Sequence, residues 1–160
     1  MAKDKRKERK EGKQRKDELF EQGLKVRKEV LTAEYVDRQF ASASEWSAPM
    51  QHLATQAWGL TWARPGIAHK TRSMLNIAFL VALDKPEELE LHCTAALRNG
   101  VTPDEVMEVL IQSAVYCGFP AALKGTRVAR QAIERWESGE GGKKSTSNAT
   151  GSKRSGKGKR

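Results

Sequence analysis

His92 is the side chain in this sequence best suited to moving a proton. It lies in Leu91–Leu97, a stretch of mostly small and apolar residues. An imidazole can hold or release a proton near neutral pH, which makes histidine a frequent general acid or base. An isolated histidine on a helix is, however, more often a hydrogen-bonded structural residue. The residue type alone leaves both interpretations open.

Arg72 is a candidate for binding an anion. It is the only charged residue of the helix predicted over Thr71–Leu83, and it lies in the first turn. A cation there faces the positive end of the helix dipole, which is unfavourable unless an anion is nearby. Free N–H groups and cations at a helix start can bind a carboxylate, and Asn76 could donate beside Arg72. An ion pair with a core acid such as Asp37 or Glu34 explains Arg72 equally well.

Further side chains could complete a pocket around these residues. Trp58 and Trp62, at i and i+4, could form one wall, although such a pair belongs more often to a core. Arg64 follows in the turn just beyond them. Gln112 and Tyr116 are neutral hydrogen-bonding groups on a largely apolar helix, so they need partners in either the protein or a substrate.

The sequence lacks the motifs that several kinds of chemistry require. The sequence has no Gly-rich phosphate loop, no nucleophile elbow and no metal-ligand spacing, and its three histidines are not clustered. Cys93 and Cys117 are not in CxxC spacing, and both fall on predicted buried helix faces, which indicates small buried thiols. What remains is a reaction that needs no cofactor.

The elements that must position these side chains are helices. Turn signals recur at helical spacing, and no alternating run indicates a strand. Thr102 and Glu105 predict a capping box, and Gly100 supplies a helix C-terminus. Two helices are apolar nearly all round, which favours burial against a second copy of the chain. The sequence predicts a single all-α domain with helices over 14–30, 34–43, 48–62, 70–83, 86–99, 103–117 and 120–137.

The formal net charge of +9 belongs to the chain ends. Residues 1–16 contain nine Lys/Arg and three acids, residues 141–160 contain seven Lys/Arg and no acid, and residues 17–140 carry a net charge of −4. We predict a basic N-terminal extension over 1–16 that could continue the first helix, a helical domain over 17–138 and a disordered basic tail over 139–160. Weak, nonspecific binding of polyanions by these ends is the function they could support.

The sequence gives no sign of export or membrane insertion. The basic N-terminus is not followed by an apolar segment, and the longest apolar run, Ile77–Leu83, is too short to cross a bilayer. We therefore expect a cytoplasmic protein with no membrane partner.

Seven collinear blocks resemble the carboxymuconolactone decarboxylase family. Together they span roughly residues 20–137, so the resemblance covers the whole predicted domain. It implies the all-helical fold of alkylhydroperoxidase D, assembled into homotrimers or homohexamers. The blocks are GLKVRKEVL (23–31), EYVDR (34–38), AWGLTWARPGI (57–67), KTRSMLNIA (70–78), LHCTAALRNGV (91–101), YCGFPAA (116–122) and Arg127.

The resemblance also bears on His92. The thiol-redox branch of the superfamily carries CxxCxxxH, and His92 fits its last position, but Lys85 and Glu88 stand at the two cysteine positions. Neither can exchange a disulfide, which excludes that branch's chemistry. LH-x-x-A-A-L-x-N-G is an element of the decarboxylase branch, which favours a functional His92.

The reaction implied by the resemblance is the cofactor-free decarboxylation of 4-carboxymuconolactone to 3-oxoadipate enol-lactone, a step of aromatic degradation through β-ketoadipate. Three roles follow: proton donor, carboxylate binding and contact with the lactone. The residues assigned to them are His92 as donor, Arg72 with Arg64 or Arg127 for carboxylates, and Gln112, Tyr116 or Trp58 for the lactone.

Departures from the family pattern keep other functions open. Ala68 stands where many members have a helix-capping Asp, and Ala54-Thr55-Gln56 lacks the usual acidic residue. A paralogue acting on a different small carboxylic acid, an inactive relative, or a basic-tailed polyanion-binding protein are the alternatives.

Overall fold

A computed structural model describes residues 2–139 of the chain. Within that range the fold contains seven helices and no strand, as the sequence predicts. Their bounds are α1 Ala2–Leu31, α2 Ala33–Ala41, α3 Ala48–Thr61, α4 His69–Ala82, α5 Pro86–Arg98, α6 Pro103–Cys117 and α7 Phe119–Glu137.

The basic N-terminal extension continues α1 outward as helix. All residues from Asp4 to Glu18 are exposed, so this part of α1 contributes nothing to the core. The predicted disordered tail lies, except for Gly139, outside the described residues. The domain limits predicted from the sequence remain predictions.

Local signals explain where the C-terminal helices begin and end. Thr102 Oγ1 accepts the Glu105 N–H at 3.2 Å, and the Glu105 carboxylate accepts the Thr102 N–H at 2.8 Å, which is the predicted capping box. Gly100 and Gly118 end α5 and α6 with φ of 84° and 89°, a conformation that glycine adopts without a Cβ clash. These caps set the end of α5, which carries His92, and the start and end of α6.

The core has two parts. Helices α4 to α7 bury one cluster around Ile77, Leu89 and Leu110, while α1, α2, α3 and α5 bury a second around Val30 and Trp62. Helix α5 contributes to both clusters, because it packs on α4 and α7 and also meets α1. His92 therefore lies on the helix that joins the two halves of the domain.

Several large apolar side chains are exposed on α4 and α6 in the single chain. Phe79 of α4, Leu83 directly after it, and Ile111 and Val115 of α6 are each at least half exposed, with Val115 at 74%. The sequence predicts that a second copy covers such surfaces, and that assembly remains a prediction. Within residues 2–139, no helix combines the length and the apolar character needed to cross a membrane.

Candidate active site

His92 projects from α5 toward α3 and α4. Its ring lies nearly parallel to the Trp58 ring, with centroids 6.4 Å apart and planes inclined by 16°. Burial lowers the pKa of His92 below its ordinary value of 6.5, and the Glu88 carboxylate opposes only part of that shift. Burial therefore favours the neutral imidazole.

Asn76 of α4 holds the inner nitrogen of this ring. Its side-chain amide nitrogen lies 3.5 Å from His92 Nδ1. An amide NH₂ group only donates, so Nδ1 is the acceptor and the proton of the neutral ring lies on Nε2. The Asn76 and Trp58 contacts together orient the His92 ring between α3 and α4.

Two tryptophans and a second histidine continue the aromatic surface. The Trp58 and Trp62 rings stack with centroids 4.7 Å apart. His69, the first residue of α4, lies with its ring centroid 5.7 Å from Trp62, and its Nε2–H donates to the Trp62 carbonyl at 3.1 Å. Trp62 is buried in the core, while Trp58 is half-buried beside His92.

Arg72 has no acidic partner among the described residues. Its Nη2 donates to the Arg64 carbonyl oxygen at 3.1 Å, and its Nε is buried without a hydrogen-bond acceptor. The ion pair with Asp37 or Glu34 that the sequence allowed does not form. Asp37 instead pairs with Lys28 at 2.6 Å, and Glu34 lies close enough to Arg98 to act on the pKa of that residue. Arg72 therefore forms no ion pair within residues 2–139.

The other candidate binding residues lie apart from His92 within one chain. Gln112 and Tyr116 are exposed on the outer face of α6, with Tyr116 at 79%, and Arg127 is exposed on α7. Arg64 is exposed in the turn before α4, where only its carbonyl contacts Arg72. One chain therefore brings His92 together with Trp58 and Asn76, places Arg72 one turn before Asn76 on α4, and leaves the α6 and α7 candidates on the surface.

The thiols differ in their surroundings. Cys93 is fully buried, and burial raises its pKa to about 12, so it remains a thiol at neutral pH. Cys117 is half-buried at the end of α6, less enclosed than its position in the apolar pattern predicts.

Arg27 is the charged residue that sequence reasoning missed. It is only 7% exposed, on the face of α1 that also carries Gly23, Val26 and Val30. This i, i+3, i+4, i+7 spacing was the available signal, because an arginine within an apolar stripe is placed against the core.

Comparison with known proteins places the chain in a family. Residues 48–131 match the carboxymuconolactone decarboxylase family. The chain is 40% identical over 116 residues to a nitrosuccinic acid decarboxylase of Metarhizium robertsii, covering 72% of this chain and 81% of the relative. It is 35% identical over 119 residues to 4-carboxymuconolactone decarboxylase of Acinetobacter baylyi, covering 74% and 89%.

The chain belongs to the carboxymuconolactone decarboxylase family, as its sequence blocks predict. The family and both of these decarboxylases support the carboxy-lyase activity expected from the sequence.

Proposed function

We propose that this protein decarboxylates a small carboxylic acid without a cofactor, and that 4-carboxymuconolactone is its substrate. The observation that carries the proposal is the position of His92, oriented by Asn76 and Trp58 in a family whose named relatives are decarboxylases. The β-ketoadipate route of aromatic degradation and the cytoplasmic location predicted from the sequence belong with this substrate.

The reaction suits a site built only from side chains. The bond between the ring carbon and its carboxylate breaks, carbon dioxide leaves, and the electron pair moves through the ring double bond onto the carbonyl oxygen of the lactone. The resulting dienolate then takes a proton on carbon. The protein has to hold the acid groups, stabilise the oxygen that gains charge, and supply that proton. Arg72 is assigned to an acid group and His92 to the proton.

Substrate binding changes the charge of His92 in the direction that this role requires. Burial lowers the pKa of the ring below its ordinary value of 6.5, so a neutral ring predominates at pH 7. Carboxylates brought next to the imidazole favour its charged form and raise that pKa. The substrate thereby promotes protonation of the group that donates to the dienolate.

Nitrosuccinic acid is the second candidate substrate, because the relative from Metarhizium robertsii is named for it and is 40% identical. Loss of the carboxylate beside the nitro group sends the electron pair onto the nitro oxygens, and the nitronate is then protonated on carbon. The two reactions make the same demands on His92 and Arg72. They differ in the group that accepts charge.

A homotrimer or homohexamer is the expected form of the enzyme. The exposed apolar surface of α4 and α6 supports this, since single chains rarely leave so many large apolar side chains uncovered. Gln112, Tyr116 and Arg127 border that surface or lie on the adjoining helix. An assembly is the arrangement in which they could reach a substrate, including the carboxylate role assigned to Arg127.

Purified protein freed of metals and supplied with neither reductant nor cofactor provides the test. Each candidate acid is added separately, and carbon dioxide release is followed together with enol-lactone or nitroalkane formation. Turnover of 4-carboxymuconolactone supports the first candidate, and turnover of nitrosuccinate alone supports the second. Failure with both acids would contradict the proposed activity.

A further inference from the structure

Helix α4 is largely apolar, but three polar side chains follow one of its faces. His69, Ser73 and Asn76 are spaced i, i+4 and i+7, which places them along one side of the helix. The outer two contact neighbouring elements, His69 at the Trp62 carbonyl and Asn76 at the His92 ring. Ser73 lies between them and is only 1% exposed. This face of α4 is therefore the one that meets the candidate site.

The Ser73 hydroxyl joins α4 to the residue that ends α5. It donates to the His69 carbonyl at 2.9 Å and accepts from Asn99 Nδ2, also at 2.9 Å. Because the one hydroxyl proton is used within α4, Asn99 has to present its NH₂ group, which defines the orientation of that amide. Such a buried, directional bond specifies how two elements fit together.

The other contacts between α4 and α5 define their alignment less sharply. Ile77 of α4 packs in the same apolar cluster as Leu89 and Cys93 of α5, and apolar attraction is non-directional. The contact between Asn76 and His92 is too long to hold the helices by itself, since 3.5 Å exceeds the usual length of a hydrogen bond from nitrogen. A small slide of α4 along α5 would break it.

We infer that Asn99, acting through Ser73, is a positioning residue for His92: their hydrogen bond holds α4 in the alignment that brings Asn76 to the imidazole. Ser73 and Asn76 lie about 4.5 Å apart along the axis of one helix, so holding the first residue also places the second. The catalytic meaning of this inference rests on the proposed function. It adds two residues, outside the predicted site, on which the geometry of the proton donor depends.

The test measures the pKa of His92 in the protein without substrate, by NMR titration of the Cε1–H signal. Asn76 donates to the neutral ring, so this contact favours the neutral form and lowers the pKa. Ser73→Ala and Asn99→Ala should each raise the pKa of His92 by about half a pH unit or more, the scale of one net hydrogen bond.

A second comparison shows whether the effect passes through Asn76. Asn76→Ala removes the contact directly and should raise the pKa of His92 by a similar amount. Adding Ser73→Ala to Asn76→Ala should then produce no further rise, because residues that act through one contact are not additive. A general loosening of the domain would instead add to the effect of Asn76→Ala.

Ser113→Ala is the matched control. Ser113 is also a buried helical serine, 4% exposed, and its hydroxyl donates to the Val109 carbonyl four residues earlier at 2.7 Å. It lies on α6, whose main contacts are with α4 and α7. Loss of an intrahelical serine bond is thus common to both variants, and Ser113→Ala should leave the pKa of His92 unchanged. Circular dichroism establishes that each variant is folded.

The charges around the ring stay the same in all of these variants. The Glu88 carboxylate on α5 acts on the pKa of His92 against the effect of burial. The charged or titratable side chains of the two helices that face the ring, α3 and α4, are His52, His69, Lys70 and Arg72. None of them is replaced, so a shift in the titration reports the surroundings that Asn76 provides.

Three results would overturn the inference: a wild-type pKa of His92 in Ser73→Ala and Asn99→Ala, an equal shift in Ser113→Ala, or a further rise when Ser73→Ala is added to Asn76→Ala. The proposed function fails separately, because the titration needs no substrate. If the shifts are found but neither candidate acid loses carbon dioxide, the positioning role stands and the decarboxylase activity does not.

Discussion

The Trp58 indole and the His92 imidazole lie within 16° of parallel, with ring centroids 6.4 Å apart. The indole limits rotation of the imidazole from one side, and Asn76 anchors Nδ1 from α4. Three helices therefore fix one ring, which leaves Nε2 as the atom that can meet a substrate. Such fixation is what a proton donor needs, because proton transfer depends on the geometry being in place beforehand.

The pH dependence follows from the direction of the His92 shift. If the imidazolium donates the proton, kcat/KM falls as pH rises through the pKa of His92 in the free enzyme, which burial places below 6.5. Because bound carboxylates raise this pKa, the corresponding fall in kcat should occur at higher pH. Steady-state kinetics from pH 5 to 9 measure both profiles. A kcat/KM that instead rises with pH through this range would contradict the assignment.

Asn76→Asp should move that profile. A carboxylate in place of the amide accepts from Nδ1–H and favours the imidazolium, so the pKa of His92 rises and the fall in kcat/KM shifts upward by about one pH unit or more. Gln22→Glu, the same chemical change at an exposed position of α1, should leave the profile unchanged. An Asn76→Asp profile that coincides with the wild-type profile would show that Asn76 does not control the ring.

The close contact of α1 and α3 predicts a strong effect on stability. A Cβ at Gly23 would lie 1.8 Å from the Thr55 carbonyl oxygen, and one at Gly59 would lie 2.1 Å from that of Leu19. Gly23→Ala and Gly59→Ala should therefore each destabilise the fold by about 3 kcal/mol or more, since the backbones must separate. Denaturant unfolding measures this.

Gly12→Ala is the matched control. A Cβ there meets nothing within 4 Å, and alanine favours helix by up to about 1 kcal/mol over glycine. This variant should be neutral or slightly stabilised. Equal stability of the Gly12 and Gly23 variants would contradict the packing described for α1 and α3.

How far the sequence predicts this structure depends on the range of the interactions. The start of α6 depends on local interactions, because the side chains of Thr102 and Glu105 each accept a hydrogen bond from the other residue's backbone N–H. This start was predicted to the residue. The stacking of Trp58 on Trp62 is also a local interaction, because the two residues are four positions apart on α3 and its C-terminal end. The burial of Arg27 depends on Thr55 and Gln51, 28 and 24 residues away, and no local pattern reveals those acceptors.

Helical spacing likewise defines a face without showing what covers it. Gln112 and Tyr116 were assigned to substrate from their positions on an apolar helix, and in one chain they are exposed. The start of α1 shows a second limit of the sequence prediction. Its charged first half forms a helix without any core contact, so hydrophobic periodicity could not define where it begins.

The thiols provide a direct check on the redox alternative. Because burial raises the pKa of Cys93 to about 12, iodoacetamide at pH 7.5 should leave it unmodified in the folded protein and modify it after unfolding. Mass spectrometry of the labelled peptides distinguishes it from Cys117. Rapid labelling of native Cys93, together with peroxide consumption, would favour thiol chemistry.

The exposed apolar surface should control assembly. Val115→Lys places a charge among the exposed apolar side chains of α4 and α6 and should reduce the sedimentation coefficient from that of a trimer or hexamer toward that of a monomer. Leu53→Lys changes an exposed apolar residue of α3, the helix that packs on α1, and serves as the control. If the wild-type protein sediments as a monomer, the predicted assembly is wrong.

The most direct measurement is the rate of carbon dioxide release from 4-carboxymuconolactone by wild-type, His92→Gln and His52→Gln proteins of equal assembly state. His52 is an exposed histidine stacked on Phe20, with ring centroids 4.1 Å apart, and its loss should leave kcat unchanged. Removal of a general acid lowers kcat by about 10²- to 10⁴-fold, which is the result expected for His92→Gln. A folded His92→Gln protein with wild-type kcat would contradict the account.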